Sequence, residues 1–191
     1  MFAELLRSKL SGICQLSAGQ IEQLQQHYEL LTRWNKVLNL SSIRTDTEAV
    51  ERHYCESVFA ACRLPNEVLS IADVGSGAGF PGVPIAVVRP LCNVTLIEAH
   101  QRKAVFLREA TRDFKNVRVL AKRAEQVSER FDWVVSRAVK CSDIVWALKK
   151  LGRHVELLTS ELRRSDLPGF EWQEPVRLPW GRQRYLWIGR A

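Results

Sequence analysis

The chain lacks the features that would place it in a membrane or secreted class. No window of its 191 residues approaches the roughly 20 consecutive apolar residues that a membrane span needs. It contains no internal repeat and no low-complexity segment. The opening stretch, MFAELLRSKL, is amphipathic and lacks the long apolar run and the small-residue cleavage site of a signal peptide. We therefore expect a cytoplasmic protein without a membrane segment.

Cysteine and histidine are too scattered to indicate a disulfide framework or a metal site. The cysteines are odd in number and lack a C-x-x-C pair: Cys14, Cys55, Cys62, Cys92 and Cys141. Such a pattern favours reduced, mostly buried thiols. The four histidines are equally dispersed, whereas zinc ligands usually come at close spacing, so we expect no metal.

Positive charge is abundant but unevenly placed. The net charge is +7, with 8 basic and 10 acidic residues among the first hundred and 20 basic and 11 acidic residues in the remainder. Most of the cations are arginines, whose planar guanidinium suits phosphate. A basic half indicates a polyanionic partner, with RNA or DNA first, although a merely solvated basic surface explains the same numbers.

The first part of the chain, residues 1–65, predicts helices. A short one covers residues 3–11. Ser17 with Gln20 resembles a capping box, and apolar residues follow it at helical spacing as far as Leu38. A further helix is expected over residues 45–62. We interpret this part as a helical extension packed on a domain formed by the rest of the chain, the two making one structural domain.

From residue 66 to 191 short apolar runs alternate with helical patterns. The predicted strands cover residues 68–74, 94–97, 117–120, 131–135, 154–158, 172–178 and 185–188. The predicted helices between the first five strands cover residues 81–88, 101–114 and 142–149. Alternation predicts an α/β fold with parallel strands and crossover helices, while the last two strands form an antiparallel hairpin. This combination is typical of the Rossmann-like class I S-adenosylmethionine methyltransferases.

A glycine-rich loop follows the first strand, in residues 71–82 (IADVGSGAGFPG). Its spacing is G-x-G-x-G, with Phe80 where a dinucleotide fold wants the third glycine of G-x-G-x-x-G. Asp73 precedes the loop, where it can meet the ammonium group of a bound amino acid and would repel a pyrophosphate. The predicted contacts of a methyl donor here are Asp73, Gly75, Ser76, Gly77, Gly79 and Phe80.

Glu98 ends the second strand, 19 residues after Gly79. An acid at that place can accept hydrogen bonds from both ribose hydroxyls of an adenosine. Since this serves NAD as well, Glu98 alone leaves a nicotinamide oxidoreductase open. Together with Asp73 and the loop it favours S-adenosylmethionine.

Signatures of several methyltransferase chemistries are missing. The fourth strand is followed by SRAVK and not by the N/D-P-P-Y/F segment of exocyclic amine methylation. Cys141 lacks the Pro-Cys or Thr-Cys context of a C5 nucleophile. The remaining possibility is methylation of an atom that is already nucleophilic, such as guanine N7. Methyl transfer to such an atom needs correct positioning of the two reactants and no general base. A small-molecule methyltransferase, for which the basic half is incidental, is a further alternative.

Several segments resemble the bacterial glucose-inhibited division protein B family, which methylates guanine N7 in small-subunit ribosomal RNA. The similar segments are residues 34–44 (WNKVLNLSSIR), 52–57 (RHYCES), 73–84 (DVGSGAGFPGVP), 102–107 (RKAVFL), 123–125 (RAE) and 136–138 (SRA). The resemblance covers roughly residues 20–140. It implies an enzyme that uses S-adenosylmethionine and acts on small-subunit ribosomal RNA or the ribosomal subunit. We expect a monomer.

The resemblance also implies roles for residues outside the loop. Those near the methyl donor are Ala124, Glu125 and Arg137, together with Gly75 and Phe80. Those that would contact RNA are Asn39, Arg44, His53, Arg123, Arg137 and Lys140, with His53, Arg123 and Arg137 positioning the target. From the residues alone, His53 serves equally as a packing histidine, and Arg123 as an ion-pair partner of Glu125.

The chain departs from the family pattern at two places. Glu56 replaces the aspartate of the R-H-x-x-D-S motif, and Thr159 replaces a lysine at the end of the fifth strand. That lysine would face the cleft, so its loss raises an alternative: a non-catalytic or retargeted RNA-binding relative that keeps the cofactor pocket.

Overall fold

One mixed sheet organises the protein, whose structure is a computed structural model. The structure describes residues 1–42, 45–137, 141–160, 165 and 167–191, with the backbone alone at residues 141–144. The strands of these ranges are β1 (Ser70–Val74), β2 (Asn93–Ile97), β3 (Val117–Leu120), β4 (Phe131–Arg137), β5 (Gly152–Thr159), β6 (Glu171–Trp172), β7 (Val176–Arg177) and β8 (Tyr185–Arg190). Their order is β3-β2-β1-β4-β5-β8-β6, and β7 also pairs with β8.

The sheet is parallel from β3 to β5 and antiparallel beyond it. The carboxyl ends of β1, β2 and β4 align, because Val74 lies beside Ile97 on one side and beside Ser136 on the other. Strand β8 runs antiparallel to β5. The predicted parallel sheet with an antiparallel end is therefore confirmed. The predicted strand over residues 172–178 is two short strands, since Pro175 has no N–H to give to a ladder.

Helices cover the sheet and extend it at the amino terminus. They are α1 (Phe2–Leu10), α2 (Ala18–Asn35), α3 (Asp46–Ala49), α4 (Glu56–Arg63), α5 (Gly82–Val88), α6 (Gln101–Ala110) and α7 (Cys141–Leu151). The predicted capping box is confirmed, with Ser17 Oγ 3.2 Å from Gln20 N and Gln20 Oε1 2.9 Å from Ser17 N. Helix α2 ends before Leu38, because the Asn35 side chain turns to bind the backbone of Leu40.

The prediction of one continuous helix over residues 45–62 is wrong. A π-helical segment, Val50–Cys55, separates α3 from α4. His53, Tyr54 and Cys55 of this segment are buried, as are residues 56–61 of α4 that follow, so this stretch of helix runs through the core and not along the surface. The segment contains the predicted site residue His53, and π segments of this kind are frequent at functional sites.

Apolar side chains fill both faces of the sheet. Ile71 faces a core that also contains Phe2, Leu6 and Leu24 from the first two helices. Ala72, its neighbour, faces a second core beneath α7. This alternation follows from the two-residue period of a strand and explains why the strands are apolar throughout. The amino-terminal helices thus share a core with β1.

The expectation that all cysteines are reduced is wrong for one pair. Cys14 and Cys62 form a disulfide across 48 residues of sequence. The first helices bring the segment after α1 beside the end of α4, a contact that spacing along the chain does not reveal. Cys55 and Cys92 are free and buried.

Among the described helices none is both long and apolar enough to cross a bilayer.

Candidate functional site

The glycine loop lies at the carboxyl end of β1, in the middle of the sheet. Gly75, Gly77 and Gly79 all have positive φ, between 57° and 92°. This region of backbone space strongly favours glycine, so the loop depends on all three. The amides of Gly75 and Ser76 donate to the carbonyl oxygen of Ile97, at 2.9 and 3.2 Å. The loop is thereby anchored to β2, beside the last residues of that strand.

Asp73 lies fully buried below the loop. Its Oδ2 accepts a hydrogen bond from Gly82 N at 3.0 Å. Its Oδ1 has no hydrogen-bond partner within the described part of the chain. Burial raises the pKa of Asp73 to about 7, and the Gly82 amide offsets only part of that rise. A cationic group placed against the unpaired oxygen would strongly stabilise the ionised form of this carboxylate.

Gly82 lets this carboxylate and the next helix come together. A Cβ at Gly82 would lie 2.3 Å from Leu96 Cδ2 and 2.6 Å from Asp73 Oδ2. We expect Gly82→Ala to lower the free energy of unfolding by about 1–3 kcal/mol, as overpacking does. Urea denaturation followed by circular dichroism measures this.

The matched control is Gly19→Ala in α2, where a Cβ would meet nothing within 4 Å. This change should leave stability unchanged or slightly higher. Equal losses in both variants would contradict the close approach at Gly82.

Glu98 ends β2 with its carboxylate held by backbone amides. Oε2 accepts from Gly77 N at 2.8 Å and Oε1 from His100 N at 2.7 Å. Each carboxylate oxygen can accept a second hydrogen bond. Glu98 is therefore fixed in place against the loop and still able to bind two vicinal hydroxyls.

Two of the residues predicted to lie near the methyl donor follow β3. Ala124 and Glu125 lie in a short 3-10 turn, Ala124–Gln126, with Ala124 half-buried and Glu125 exposed. Lys150 Nζ donates to the Glu125 carbonyl oxygen at 2.9 Å, which ties this turn to α7. Arg123 is exposed and forms no ion pair with any described residue, Glu125 included.

His53 connects the loop to the amino-terminal helices. Its ring stacks on Phe80, with centroids 4.5 Å apart and an angle of 11°. A guanidinium has only donors, so Arg137 Nη2 donates to His53 Nδ1. The ring proton of His53 therefore lies on Nε2, which donates to Ser41 Oγ at 2.7 Å. Burial, and secondly the Arg137 charge, lower the pKa of His53 to about 2. His53 is therefore neutral and cannot act as a proton donor at neutral pH.

Arg137 lies at the carboxyl end of β4. Its Nη1 donates to the Arg52 carbonyl oxygen, and its guanidinium carbon is 5.1 Å from the centre of the Phe80 ring. Burial lowers the pKa of Arg137 to about 10, while Glu56 favours the charged form. The side chain is thus a fixed cation beside the loop.

Sequence reasoning missed an ion pair next to this cation. Arg184 Nε lies 3.0 Å from Glu56 Oε1, and Arg184 Nη2 lies 2.7 Å from Glu56 Oε2. Glu56 is fully buried and the Arg184 side chain is 15% exposed. The pair joins α4 to the residue just before β8. No local signal marked Arg184, because its partner is 128 residues away.

The structure thus brings together Asp73, the glycine loop, Glu98, His53 and Arg137. Asn39 and Arg123 are exposed, and among the described residues neither forms an ion pair with this group. The predicted RNA contacts Arg44 and Lys140 lie outside the described residues. Thr159 ends β5 half-buried and pairs with Tyr185, next to Arg184. The described residues contain no His, Cys, Asp and Glu group suited to a metal ion.

Comparison with known proteins gives a consistent result. A family model described as rRNA small subunit methyltransferase G matches residues 20–160. Ribosomal RNA small subunit methyltransferase G of Roseiflexus castenholzii is 39% identical over 144 residues, which are 71% of this chain and 62% of that protein. The protein of the same name from Dichelobacter nodosus is 44% identical over 128 residues, 65% of this chain and 59% of that protein. The chain therefore spans about three fifths of the length of these relatives.

Solved structures match the fold at low sequence identity. A SAM dependent methyltransferase from Aquifex aeolicus superposes with a TM-score of 0.60 at 17% identity, over 74% of this chain and 92% of that one. Such a likeness establishes the architecture, and the predicted class I methyltransferase fold is confirmed.

Proposed function

The chain belongs to the rRNA small subunit methyltransferase G family, and from this membership we propose that it transfers a methyl group from S-adenosylmethionine to guanine N7 in small-subunit ribosomal RNA. The observation that carries the proposal is the buried Asp73 carboxylate, which has one oxygen without a hydrogen-bond partner among the described residues and precedes the glycine loop that Glu98 binds through the Gly77 amide.

This arrangement fits the methyl donor in both of its recognised parts. Asp73 Oδ1 would receive the ammonium group of the methionine portion, and Glu98 would accept the ribose hydroxyls. The positive-φ glycines present no Cβ toward the ligand. A Cβ added at Gly77 would meet nothing closer than 3.8 Å apart from its chain neighbours, whereas one added at Gly79 would lie 2.6 Å from Val83 Cγ2. When bound, S-adenosylmethionine supplies an electrophilic methyl group on a sulfonium.

The remaining residues position the target and move no proton. Guanine N7 carries a free lone pair, so methyl transfer needs alignment and no general base. His53 is neutral and held by Arg137 and Ser41, and so it suits a role in orienting Arg137. The Arg137 cation, fixed over Phe80, would then hold a phosphate or the guanine O6.

We propose the small ribosomal subunit, or its RNA, as the partner, a cytoplasmic location and a monomeric enzyme. The basic second part of the chain supports a polyanionic substrate, and Asn39, Arg44, Arg123 and Lys140 are the proposed RNA contacts outside the central group. Binding to RNA should weaken steeply as salt rises, since phosphate contacts release counterions.

Methyl transfer to small subunits from a strain that lacks the protein tests the proposal. Wild-type protein with radiolabelled S-adenosylmethionine should add one 7-methylguanosine per subunit, identified by nuclease digestion and mass spectrometry. Glu98→Ala should raise KM for the methyl donor about tenfold or more, because two hydrogen bonds to a charged group are lost.

Glu129→Ala is the control, since Glu129 is half-exposed and pairs only with Arg118 among the described residues. It should leave both kinetic constants unchanged. Wild-type protein that yields no labelled 7-methylguanosine would refute the proposed activity.

A further inference from the structure

An apolar groove lies between the end of α2 and the beginning of α6. It encloses about 550 Å³ and is lined by Arg33, Trp34, Val37, Leu38, Arg102 and Val105. Val37 is 84% exposed and Val105 49% exposed. Single exposed aliphatic residues are common, whereas several that line one concave surface indicate a binding site. The proposed methyl transfer uses none of these side chains.

The groove is formed in the folded chain. The Trp34 ring packs edge-on against Phe106 of α6, with centroids 5.7 Å apart, and so fixes one wall to the other. Phe106 is fully buried, which anchors this contact in the core. A ligand would therefore meet a prepared surface and order few side chains on binding.

Cations flank the groove on both walls. Arg33 comes from α2 and Arg102 from α6, and both are exposed. Neither forms an ion pair with any of the residues described in the structure. Two free guanidinium groups on either side of a hydrocarbon floor match a ligand that has a flat apolar face between two anions.

The groove adjoins the mouth of the methyl-donor site. Helix α6 begins at Gln101, three residues after Glu98, whose Oε1 holds the His100 amide. Arg102 is thus in the first turn beyond the carboxyl end of β2. On the other wall, the chain leaving α2 reaches Ser41, which binds His53. A polymer that crosses the mouth can extend into the groove.

We propose that this groove binds an unpaired nucleotide of the RNA substrate, next to the methylated guanine but outside the catalytic mouth. The inference rests on the proposed function. The base lies against Trp34, Val37, Leu38 and Val105, and the phosphates on either side of it pair with Arg33 and Arg102. The floor offers almost no polar group to read base edges, so recognition tolerates any base.

Binding of a fluorescein-labelled single-stranded RNA dodecamer tests the groove. Arg33→Gln/Arg102→Gln should weaken binding about tenfold or more and reduce the slope of log K against log salt by about 1.4, since two phosphate contacts to a single strand are lost. Val105→Asp, which puts a carboxylate on the floor, should weaken binding about tenfold, because apolar contact with the base is lost and phosphates are repelled.

Two controls match these changes in charge. Arg108→Gln/Lys115→Gln removes two exposed cations, one from the same helix and one from the connection to β3, both outside the groove. Leu91→Asp adds a carboxylate at a residue that is 88% exposed and precedes β2, at the opposite end of that strand from Arg102. Both should change RNA affinity less than twofold. Equal effects of the control and groove variants would overturn the proposal, because they would show general electrostatics only.

Methyl transfer separates this inference from the proposed function. With small subunits as substrate, the groove variants should raise KM and keep the single-turnover rate of the saturated complex. If active groove variants keep the wild-type KM, the groove proposal is wrong and the proposed activity stands. The groove proposal is equally wrong if these variants bind isolated ribosomal proteins more weakly and keep their affinity for RNA. Lack of methyl transfer by the wild type overturns the proposed activity instead, while the dodecamer comparison still decides the groove.

Discussion

Arg184→Met is expected to lower the free energy of unfolding by about 3–5 kcal/mol, the cost of leaving a buried charge without its partner. Glu56 is fully buried, and both of its oxygens are bonded to the Arg184 guanidinium at 3.0 and 2.7 Å. Methionine is apolar and of similar length, so it would fill the space without supplying a donor. Urea denaturation at pH 7 measures the change.

A double variant shows whether the loss comes from the stranded charge. Glu56→Met/Arg184→Met replaces the whole pair by apolar side chains and should return to within about 1–2 kcal/mol of the wild type. Arg112→Met removes half of an exposed pair with Asp113 and should cost less than about 1 kcal/mol. A double variant as unstable as Arg184→Met would mean that packing, and not the unpaired carboxylate, causes the loss.

The Glu56–Arg184 pair contains one of the two positions at which the chain departs from its family pattern and lies near the other. Thr159 stands where the resemblance leads one to expect a lysine, and Glu56 where it leads one to expect an aspartate. Thr159 pairs with Tyr185 on β8, directly beside Arg184. A cation, Arg184, therefore precedes the strand residue that pairs with Thr159, and it is bound to the carboxylate of Glu56.

The features that sequence predicted are those with local causes. Strand and helix periods indicated the order of elements. Because parallel strands place their carboxyl ends together, the positions of Asp73 and Glu98 at two strand ends were enough to assign both residues to one site. The capping box at Ser17 was equally visible, because its partners are three residues apart.

The features that sequence missed depend on contacts between distant segments. The disulfide between Cys14 and Cys62 and the pair of Glu56 with Arg184 join residues 48 and 128 positions apart. The π-helical segment Val50–Cys55 contains no residue type that distinguishes it from an α-helix, so the hydrophobic periodicity gave no sign of it. His53, in this segment, stacks on Phe80 of the glycine loop, a contact between residues far apart in the sequence.

Asp73→Asn is expected to stabilise the protein without ligand and to abolish most of its affinity for the methyl donor. Burial raises the pKa of Asp73 from 3.8 to about 7. Since the folded pKa exceeds the unfolded one, the carboxyl contributes stability that is complete below about pH 4 and is lost as pH rises through 7. Ionisation of Asp73 lowers the free energy of unfolding by roughly 4 kcal/mol above pH 7. Asparagine does not ionise, so the variant keeps this stability.

The same charge that destabilises the free protein should hold the ligand. The ammonium group needs the ionised form of Asp73, so the wild-type affinity for S-adenosylmethionine should fall about tenfold per pH unit below 7. Asp73→Asn should bind about 100-fold more weakly at pH 8 and show little pH dependence, as is typical when one partner of a buried charge pair is removed. Calorimetry between pH 5.5 and 8.5 measures both effects.

Thermal unfolding provides the second readout, because a ligand that binds only the folded state raises Tm, and the rise grows with the logarithm of its concentration divided by Kd. At pH 8 the variant should start from a higher Tm than the wild type and gain much less when S-adenosylmethionine is added. Asp132→Asn is the control: Asp132 caps the amides of Leu69 and Ser70 at the opposite end of β1. That change should lower Tm and leave the ligand-induced gain intact. A variant at Asp73 that loses stability and keeps its affinity would show that the carboxylate serves the Gly82 amide alone, and the ammonium site would have to be sought elsewhere on the loop.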